Sequence, residues 1–185
     1  MTPQLATYPD HAADVLLRNG LAVRIRPLSG ADAPLLADGF ARLSARSRQS
    51  RFLTGKRRLS ASELRYFTEI DHRDHEALAA VSLIDGRGVG VARYVRSAAD
   101  PQAADVAVTV VDEWQGSGVG TELMTRLIDR AITEGIRRFT ALIAADNLAV
   151  LRLLRNLSVD YVELGCEEGA VEYEIMLPAP GDGAA

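Results

Sequence analysis

The stretch Trp114-Gln115-Gly116-Ser117-Gly118-Val119-Gly120 decides the fold of this chain, because it joins two patterns of different period. Residues 106–111 before it form an apolar run that is typical of a buried strand, and residues 121–134 after it are amphipathic with helical spacing. A glycine-rich turn between a strand and a helix points several backbone N–H groups at one spot, at the positive end of the helix dipole. The stretch therefore predicts an anion site suited to a phosphate.

Length and composition indicate a single globular domain. The chain has 185 residues, of which 48% are hydrophobic and 25% are charged, as in ordinary globular proteins. No apolar run approaches the roughly 18 residues of a membrane span, and no signal peptide is evident. Cys166 is the only cysteine, so no intramolecular disulfide is possible. We expect a cytoplasmic protein without a membrane partner.

Charge argues against a nucleic-acid partner, but it is unevenly distributed. The formal net charge is −4 and the isoelectric point is about 5.4, which disfavours generic nucleic-acid binding. Residues 42–58 nevertheless carry seven cations and no acid, and Glu167 and Glu168 belong to an acidic cluster near the C-terminus. Both segments are candidates for contacts with charged ligands, with a solvated surface as the alternative.

The periodicity predicts one mixed α/β domain in the order β-α-α-β-β-β-α-β-α-β-β. Strands are expected at residues 21–27, 76–84, 88–95, 104–111, 139–144, 159–164 and 171–177. A first helix is expected from Ser29 or Asp32 to about residue 43, and a second is expected to begin at the capping box Ser60–Glu63. A third is expected from residue 119 to Gly135, which stops it, and a fourth from Asp146 or Asn147 to about residue 157. Residues 1–20 are interpreted as an N-terminal extension, 21–178 as the domain and 179–185 as a flexible tail.

The context of the glycine loop excludes two common phosphate-binding folds. The loop lacks Gly-Lys-Ser/Thr, so a P-loop NTPase is not expected. It follows the predicted fourth strand, whereas a dinucleotide-binding fold has its glycine motif after the first. A tight turn without a ligand is the alternative, but each glycine weakens a helix start by roughly 1 kcal/mol.

The longer string Val110-Val-Asp-Glu-Trp-Gln-Gly-Ser-Gly-Val-Gly120 resembles the signature motif of the GNAT superfamily of N-acetyltransferases. That motif is Gln/Arg-x-x-Gly-x-Gly/Ala, and Gln115, Gly118 and Gly120 occupy its fixed positions. Within the superfamily, the chain is similar to the catalytic domain of bacterial Pat-type protein lysine acetyltransferases at Tyr8-Pro9, Ile25-Arg26-Pro27, Leu43-Ser44, Ser47-Arg48 and Arg51-Phe52. The resemblance implies an α/β fold with a mostly antiparallel sheet, splayed fourth and fifth strands, and flanking helices.

The resemblance also implies acetyl-CoA as the cofactor, and no metal. In the family, the backbone at the end of the fourth strand contacts the pantetheine arm; by position these residues are Val108, Thr109 and Val110. The loop amides that would hold the pyrophosphate belong to Gln115, Gly116, Ser117, Gly118, Val119, Gly120 and Thr121. Asn147 matches an asparagine that often touches pantetheine, and a helix N-cap is its alternative role.

Asp105 is the candidate catalytic base. An amine attacks only after its ammonium form has lost a proton, and Pat-like domains use the glutamate of Ala-Glu-x-Ala-Val for this step. Here the corresponding sequence is Ala104-Asp-Val-Ala-Val108, so the carboxylate is one methylene shorter and would need a bridging water. A strand-end aspartate held by a turn or an arginine is the alternative.

The general acid of many GNAT enzymes is missing from this sequence. Leu154 stands where many GNAT enzymes have a tyrosine, and Pat-like domains also tend to lack that tyrosine. Tyr161 is a remote substitute, and packing explains it better. Ser158-Val159 also departs from the glycine-aromatic pair that often follows this helix.

Other candidates have simpler explanations. His72, Asp74 and His75 make a weak metal site and fit a surface turn. Glu76 is a possible accessory base, although a solvated strand start is the simpler interpretation. Glycines 86–90 fit a hairpin, and Cys166 lies in an acidic stretch that disfavours a thiolate nucleophile.

These observations predict an acetyl-CoA-dependent N-acetyltransferase that acts on a primary amine, preferably a protein lysine, in a ternary complex. A small-molecule amine acceptor and a non-catalytic acyl-CoA-binding regulatory module stay open. The family places residues 42–58 beside the acceptor, and Glu167 and Glu168 are expected on its other side. The protein is expected to be a monomer or a homodimer.

Overall fold

A computed structural model describes residues 12–53, 56–167 and 169–179. Its centre is an eight-stranded sheet in the order β1-β2-β3-β4-β5-β6-β8-β7. The strands are β1 (Ala13–Leu16), β2 (Ala22–Pro27), β3 (His75–Ser82), β4 (Gly88–Arg96), β5 (Ala103–Val110), β6 (Arg138–Ala144), β7 (Asp160–Glu167) and β8 (Ala170–Met176). All neighbouring strands are antiparallel except β5 and β6, which are parallel.

Helices cover both faces of the sheet. Among the described residues they are α1 (Ala33–Ala41), α2 (Ala45–Phe52), α3 (Ala61–Thr68), α4 (Val119–Thr133) and α5 (Leu148–Leu157). On β4, Val91 and Arg93 point toward α1–α3, whereas Ala92 and Tyr94 belong to the core beneath α4. Side chains of β5 alternate in the same way, because Arg93 pairs with Ala107.

The apolar stripe predicted for the helix after the glycine loop forms the centre of the core. Val119, Leu123, Leu127 and Ala131 of α4 are fully buried, as expected for residues spaced three and four apart on one helix face. Gly135 ends this region with a φ of +84°, a conformation that glycine adopts most readily.

The structure corrects the expected start of the domain. Residues 1–20 were expected to precede the first strand, but Ala13–Leu16 forms β1 and pairs with β2, and Asp14 contacts Arg24 at 2.7 Å. A strand of four residues is too short to show a clear alternation. The predicted fourth and fifth strands are consequently β5 and β6. Tyr8, Pro9, Glu168 and most of the predicted tail lie outside the described residues.

No periodic pattern in the sequence predicts the helix α2. Its eight residues contain three arginines and no apolar stripe, so the 3.6-residue period is absent. Ser44 caps it instead, because the Ser44 hydroxyl accepts a hydrogen bond from the Ser47 amide at 3.1 Å.

Candidate functional site

The strands β5 and β6 separate soon after they meet. Their pairing covers Ala103 with Arg138, Ala104 with Phe139, and Asp105 with Thr140, and it ends there. Residues 106–110 continue alongside β4 alone, so the edge of β5 that faces β6 offers backbone groups to a ligand. The groove that begins at this separation has a volume of about 1660 Å³, which suits an extended ligand.

The glycine loop lies along this groove and has the conformation that its glycines allow. Gly116 has a φ of +74° and Gly118, the residue before α4, has a φ of +100°, so both adopt the left-handed region that disfavours other residues. Among the described residues, the amides of Gly116, Gly118, Gly120 and Thr121 have no hydrogen-bond acceptor. Together with the positive end of the α4 dipole, these amides form an anion cradle.

A polar cluster connects this loop to α2. The Asp112 carboxylate accepts hydrogen bonds from the Ser44 amide at 2.7 Å, the Ser44 hydroxyl at 2.9 Å and the Ser47 hydroxyl at 2.7 Å. The side-chain amide of Gln115 donates to the Ser47 hydroxyl and to the Val110 carbonyl, both at 3.2 Å. Burial alone would raise the pKa of Asp112, but these hydrogen bonds outweigh burial and lower it.

This cluster gives Gln115 and the two serines a structural explanation. Gln115 is the first fixed residue of the family motif, and its side chain bonds within the protein, so the end of β5 is held against α2. Ser44, Ser47 and Asp112 were not predicted as site residues. The sequence does carry one signal for them, because Ser44 and Ser47 have the spacing of a helix cap. That signal has no meaning unless a helix is expected at α2, and none was predicted there.

Asn147 and Asp146 lie on the opposite side of the groove. Asn147 occupies the position before α5, but its side chain makes no capping hydrogen bond. The side-chain amide of Asn147 therefore has no hydrogen-bond partner among the described residues, and Asn147 lines the groove. Asp146 contacts Arg46 of α2 at 3.5 Å, in an exposed ion pair.

Asp105 lies at the point where the two strands part. The Thr140 hydroxyl donates a hydrogen bond to Oδ1 of Asp105, and the residue is exposed to the groove. No arginine pairs with this carboxylate among the described residues, so the alternative of an aspartate satisfied by arginine does not apply. Thr140 bonds one oxygen, and the other has no hydrogen-bond partner among the described residues.

Glu76 does not contribute to the groove. Its side chain is 2% exposed and contacts Arg130 of α4 at 3.1 Å, His72 at 2.8 Å and the Ala77 amide at 2.8 Å. The expectation of a solvated strand start is therefore wrong, because Glu76 is an ion-pair partner beneath α4. Its hydrogen bond with His72 raises the pKa of that histidine.

The remaining candidates are held by packing or by other partners. His75 contacts Arg93, and no described group of three His, Cys, Asp or Glu side chains could hold a metal. Tyr161 packs against Tyr173 with ring centroids 5.9 Å apart, and Leu154 is buried. Cys166 is exposed on β7.

The cations of residues 42–58 serve several purposes. Arg42 contacts Asp38 at 3.1 Å, Arg48 donates to the Leu43 carbonyl at 2.9 Å, and Lys56 contacts Glu63 at 2.5 Å. These three stabilise the α1–α3 region. Arg46 and Arg51 line the groove instead, so the segment is neither wholly a ligand clamp nor wholly a solvated face.

The sequence and the fold match one family of known proteins. The model of the acetyltransferase (GNAT) family matches residues 43–158. The chain belongs to the GNAT acetyltransferase family. Family membership confirms the predicted GNAT fold, the acyltransferase class and acetyl-CoA as the cofactor.

Individual relatives support this assignment. The chain is 30% identical over 164 residues to Acetyltransferase Pat of Mycolicibacterium smegmatis. The matched region covers 89% of this chain and 48% of that relative, so this chain spans about half of that protein's length. The GNAT domain of S. lividans PAT superimposes with a TM-score of 0.84 at 33% identity, covering 92% of this chain and 99% of that one. The fold also matches yncA from Salmonella typhimurium, solved with its cofactor acetyl-CoA, with a TM-score of 0.68 at 21% identity, covering 88% and 98%.

In the described part of the chain, no helix has the length and apolar character of a membrane span. The cytoplasmic location and the oligomeric state stay predictions from the sequence.

Proposed function

We propose that this GNAT domain transfers the acetyl group of acetyl-CoA to a primary amine, preferably a protein lysine, by direct attack in a ternary complex. The observation that carries the proposal is the position of Asp105, whose carboxylate stands where β5 and β6 separate. A base at this point faces the groove into which the free edge of β5 and the amide cradle also open.

The residues on the two sides of the groove fit the cofactor. The free edge of β5 at Val108, Thr109 and Val110 would pair with the amide groups of pantetheine, and Asn147 would add a side-chain contact. The cradle from Gln115 to Thr121 would hold the pyrophosphate, because the amides of Gly116, Gly118, Gly120 and Thr121 lack acceptors among the described residues and lie at the start of a fifteen-residue helix.

Proton removal is the main chemical contribution of the protein. Acetyl-CoA supplies a thioester whose C–S bond breaks as the amine nitrogen forms a C–N bond, with release of the thiol and one proton. Asp105 would accept the ammonium proton, through a water because its side chain is short. Thr140 would orient the carboxylate for this transfer.

Proton delivery to the leaving group needs no residue of the α5 helix. Leu154 is buried at the position where a tyrosine acid is common, so the thiolate would leave unaided or take a proton from water. The free amides on the edge of β5 are the available donors to the developing charge on the thioester oxygen.

The open face of β6, β8 and β7 supports a cationic acceptor with apolar neighbours. In one row of the sheet, Asp105 lies beside Thr140, and Thr140 lies beside Glu174. Two residues further along β6, Leu142 lies beside Glu172. Residues two apart on a strand point to the same side, so these side chains share a face. Leu142 is 58% exposed, and Glu172 has no ion-pair partner among the described residues. A lysine side chain on a peptide would meet negative charge and apolar surface here.

Release of free thiol from acetyl-CoA tests the proposal. The protein is incubated with acetyl-CoA and, in separate reactions, with a lysine peptide or a small primary amine. Turnover with the peptide supports the proposed reaction, and turnover with small amines alone would select the small-molecule alternative. Tight acetyl-CoA binding without turnover on any amine would identify a non-catalytic acyl-CoA-binding module.

A further inference from the structure

Two arginines lie together on the α1–α3 face of the sheet, and neither has an acidic partner among the described residues. Arg93 of β4 is 5% exposed. Its Nη1 donates to the Phe67 carbonyl at 3.2 Å and contacts Nε2 of His75 at 3.3 Å. Arg51 of α2 is partly buried and lies over the Phe52 ring, 4.8 Å from its centroid. The Nε and Nη2 groups of Arg93 have no acceptor among the described residues.

Both guanidinium groups are partly desolvated, but none of their nitrogens is both buried and without a hydrogen-bond partner in the described part of the chain, so their free N–H groups reach the groove and are open to an anion. Burial, and then the charge of Arg51, lower the pKa of Arg93 to about 10, and burial lowers the pKa of Arg51. Arginine side chains keep their charge at neutral pH in proteins. Aromatic rings and one backbone carbonyl compensate part of this desolvation, since Arg93 also lies over the Phe67 ring, 4.4 Å from its centroid. Buried charges are normally paired with an opposite charge, so two neighbouring cations without a carboxylate favour an anion.

The position of the pair connects this anion to the reaction. Arg51 and Arg93 line a cavity of about 60 Å³, enough for a group of a few non-hydrogen atoms, and both also line the main groove. On the paired strands β4 and β5, Arg93 lies opposite Ala107, and Asp105 lies opposite Val95. Arg93 and Asp105 are therefore diagonal neighbours on one face of the sheet, and residues in such positions have backbones about 7 Å apart. An anion bound by the two arginines could therefore belong to a molecule whose reacting amine, a few atoms away, lies beside the proposed base.

We infer that Arg51 and Arg93 bind a carboxylate carried by one of the two reactants. Guanidinium groups recognise carboxylates through two parallel hydrogen bonds, and most of the other residues that line the cavity are apolar. The carboxylate belongs either to a small amine acceptor, a few atoms from its amine, which would select the small-molecule alternative over a protein lysine, or to an acyl chain that takes the place of acetyl in the thioester. The inference rests on the proposed function, since it assigns the specificity of the same site.

Matched substrates distinguish these two sources. In the thiol-release assay, ω-amino acids of three to six carbons are compared with alkylamines of equal length, and succinyl-CoA is compared with butyryl-CoA. A preference of about tenfold or more in kcat/KM for the ω-amino acids assigns the carboxylate to the acceptor. The same preference for succinyl-CoA assigns it to the acyl chain.

Variants of the pair decide whether the arginines cause the preference. In Arg51→Gln and Arg93→Gln, the ratio of kcat/KM for the carboxylate-bearing substrate to kcat/KM for its matched partner is expected to fall close to one. In Arg65→Gln, which removes an exposed arginine of α3, it is expected to stay at the wild-type value. Absence of both preferences in the wild-type protein, or a preference that survives in both variants, would overturn the inference.

A binding measurement keeps the inference testable if no amine is acetylated. Glutarate should raise the Tm of the wild-type protein and of Arg65→Gln by about 2–4 °C relative to sodium chloride of equal ionic strength. The increase should vanish in Arg51→Gln, whose fold is checked by circular dichroism. Equal Tm values in glutarate and chloride for the wild-type protein would contradict a carboxylate site, whatever the outcome of the activity assay.

Discussion

The two halves of the candidate site are built from different parts of the chain. The half assigned to acetyl-CoA consists mainly of backbone groups from one continuous segment, 108–121, and Ser47, Asp112 and Gln115 hold that segment in place. The half assigned to the acceptor consists of side chains from separate elements, Arg51, Arg93, Asp105 and Thr140. Backbone recognition suits a constant ligand, whereas side chains can be exchanged to change the acceptor. The comparison predicts that variants of one half leave the function of the other intact.

Removal of the proposed base should have the largest effect. In Asp105→Asn we expect kcat to fall by about 100-fold or more, because general-base catalysis contributes on the order of 10²–10⁴. The Kd for acetyl-CoA should stay within about twofold, since the isosteric amide leaves the cofactor half unchanged. Thiol release gives kcat and calorimetric titration gives Kd. Asp129→Asn, an exposed residue of α4, is the matched control, and a wild-type kcat in Asp105→Asn would remove Asp105 from the mechanism.

Distortion of the amide cradle should have the next largest effect, on the cofactor half alone. Alanine at Gly118, whose φ is +100°, costs roughly 1–2 kcal/mol of strain, and relief of that strain would turn the amides away from the ligand. We expect the Kd for acetyl-CoA to rise by about 10-fold or more. Gly135→Ala is the control, because Gly135 has a similar φ of +84° but lies beyond the far end of α4. Equal weakening by both variants would show that general destabilisation, and not the cradle, is responsible.

Loss of the connection between α2 and the loop should weaken the cofactor half more mildly. Ser47→Ala removes the hydrogen bonds of its hydroxyl with Asp112 and Gln115, a change of about 1 kcal/mol or a Kd about fivefold higher. Ser50→Ala, one turn later on α2, makes no such connection among the described residues. A Kd for acetyl-CoA that does not differ between the two variants would show that the polar cluster does not position the loop.

The smallest expected effect is a pH dependence of stability in the acceptor half. Burial, and then the charge of Arg93, lower the pKa of His75 from 6.5 to about 4. Between these values the unfolded chain binds a proton that the folded protein does not, so the free energy of unfolding falls as the pH drops. From pH 7 to pH 5 this amounts to about 1 kcal/mol, after allowance for partial exposure.

His75→Gln isolates this contribution. Urea unfolding of both proteins at pH 7 and pH 5 should show a smaller loss of stability in the variant. The opposite contribution of His72, whose pKa is raised, is present in both proteins and cancels in the comparison. Identical losses would indicate that His75 is protonated freely in the folded protein.

The contrast between the halves also explains what the sequence could reveal. Gly116 and Gly118 mark the loop because a left-handed backbone selects glycine, and the stripe of α4 follows a regular period. The pairing of Asp105 with Thr140, and the meeting of Arg51 with Arg93, depend on sheet register and on helix placement, which no local pattern encodes. Asp105 was predicted only through the family resemblance and Arg51 only as part of the cationic segment 42–58, whereas Arg93 stands out as a charge within the apolar run of β4.

The central claim is that the two halves act independently, and a double-mutant cycle of Asp105→Asn and Gly118→Ala tests it most directly. The measured quantity is kcat/KM for acetyl-CoA in the wild-type protein, the two single variants and the double variant. If the cradle binds the cofactor and Asp105 only removes the acceptor's proton, the fold-changes of the single variants multiply to within about twofold. A double variant no slower than the worse single variant would contradict the claim, because it would show that both residues serve the same step.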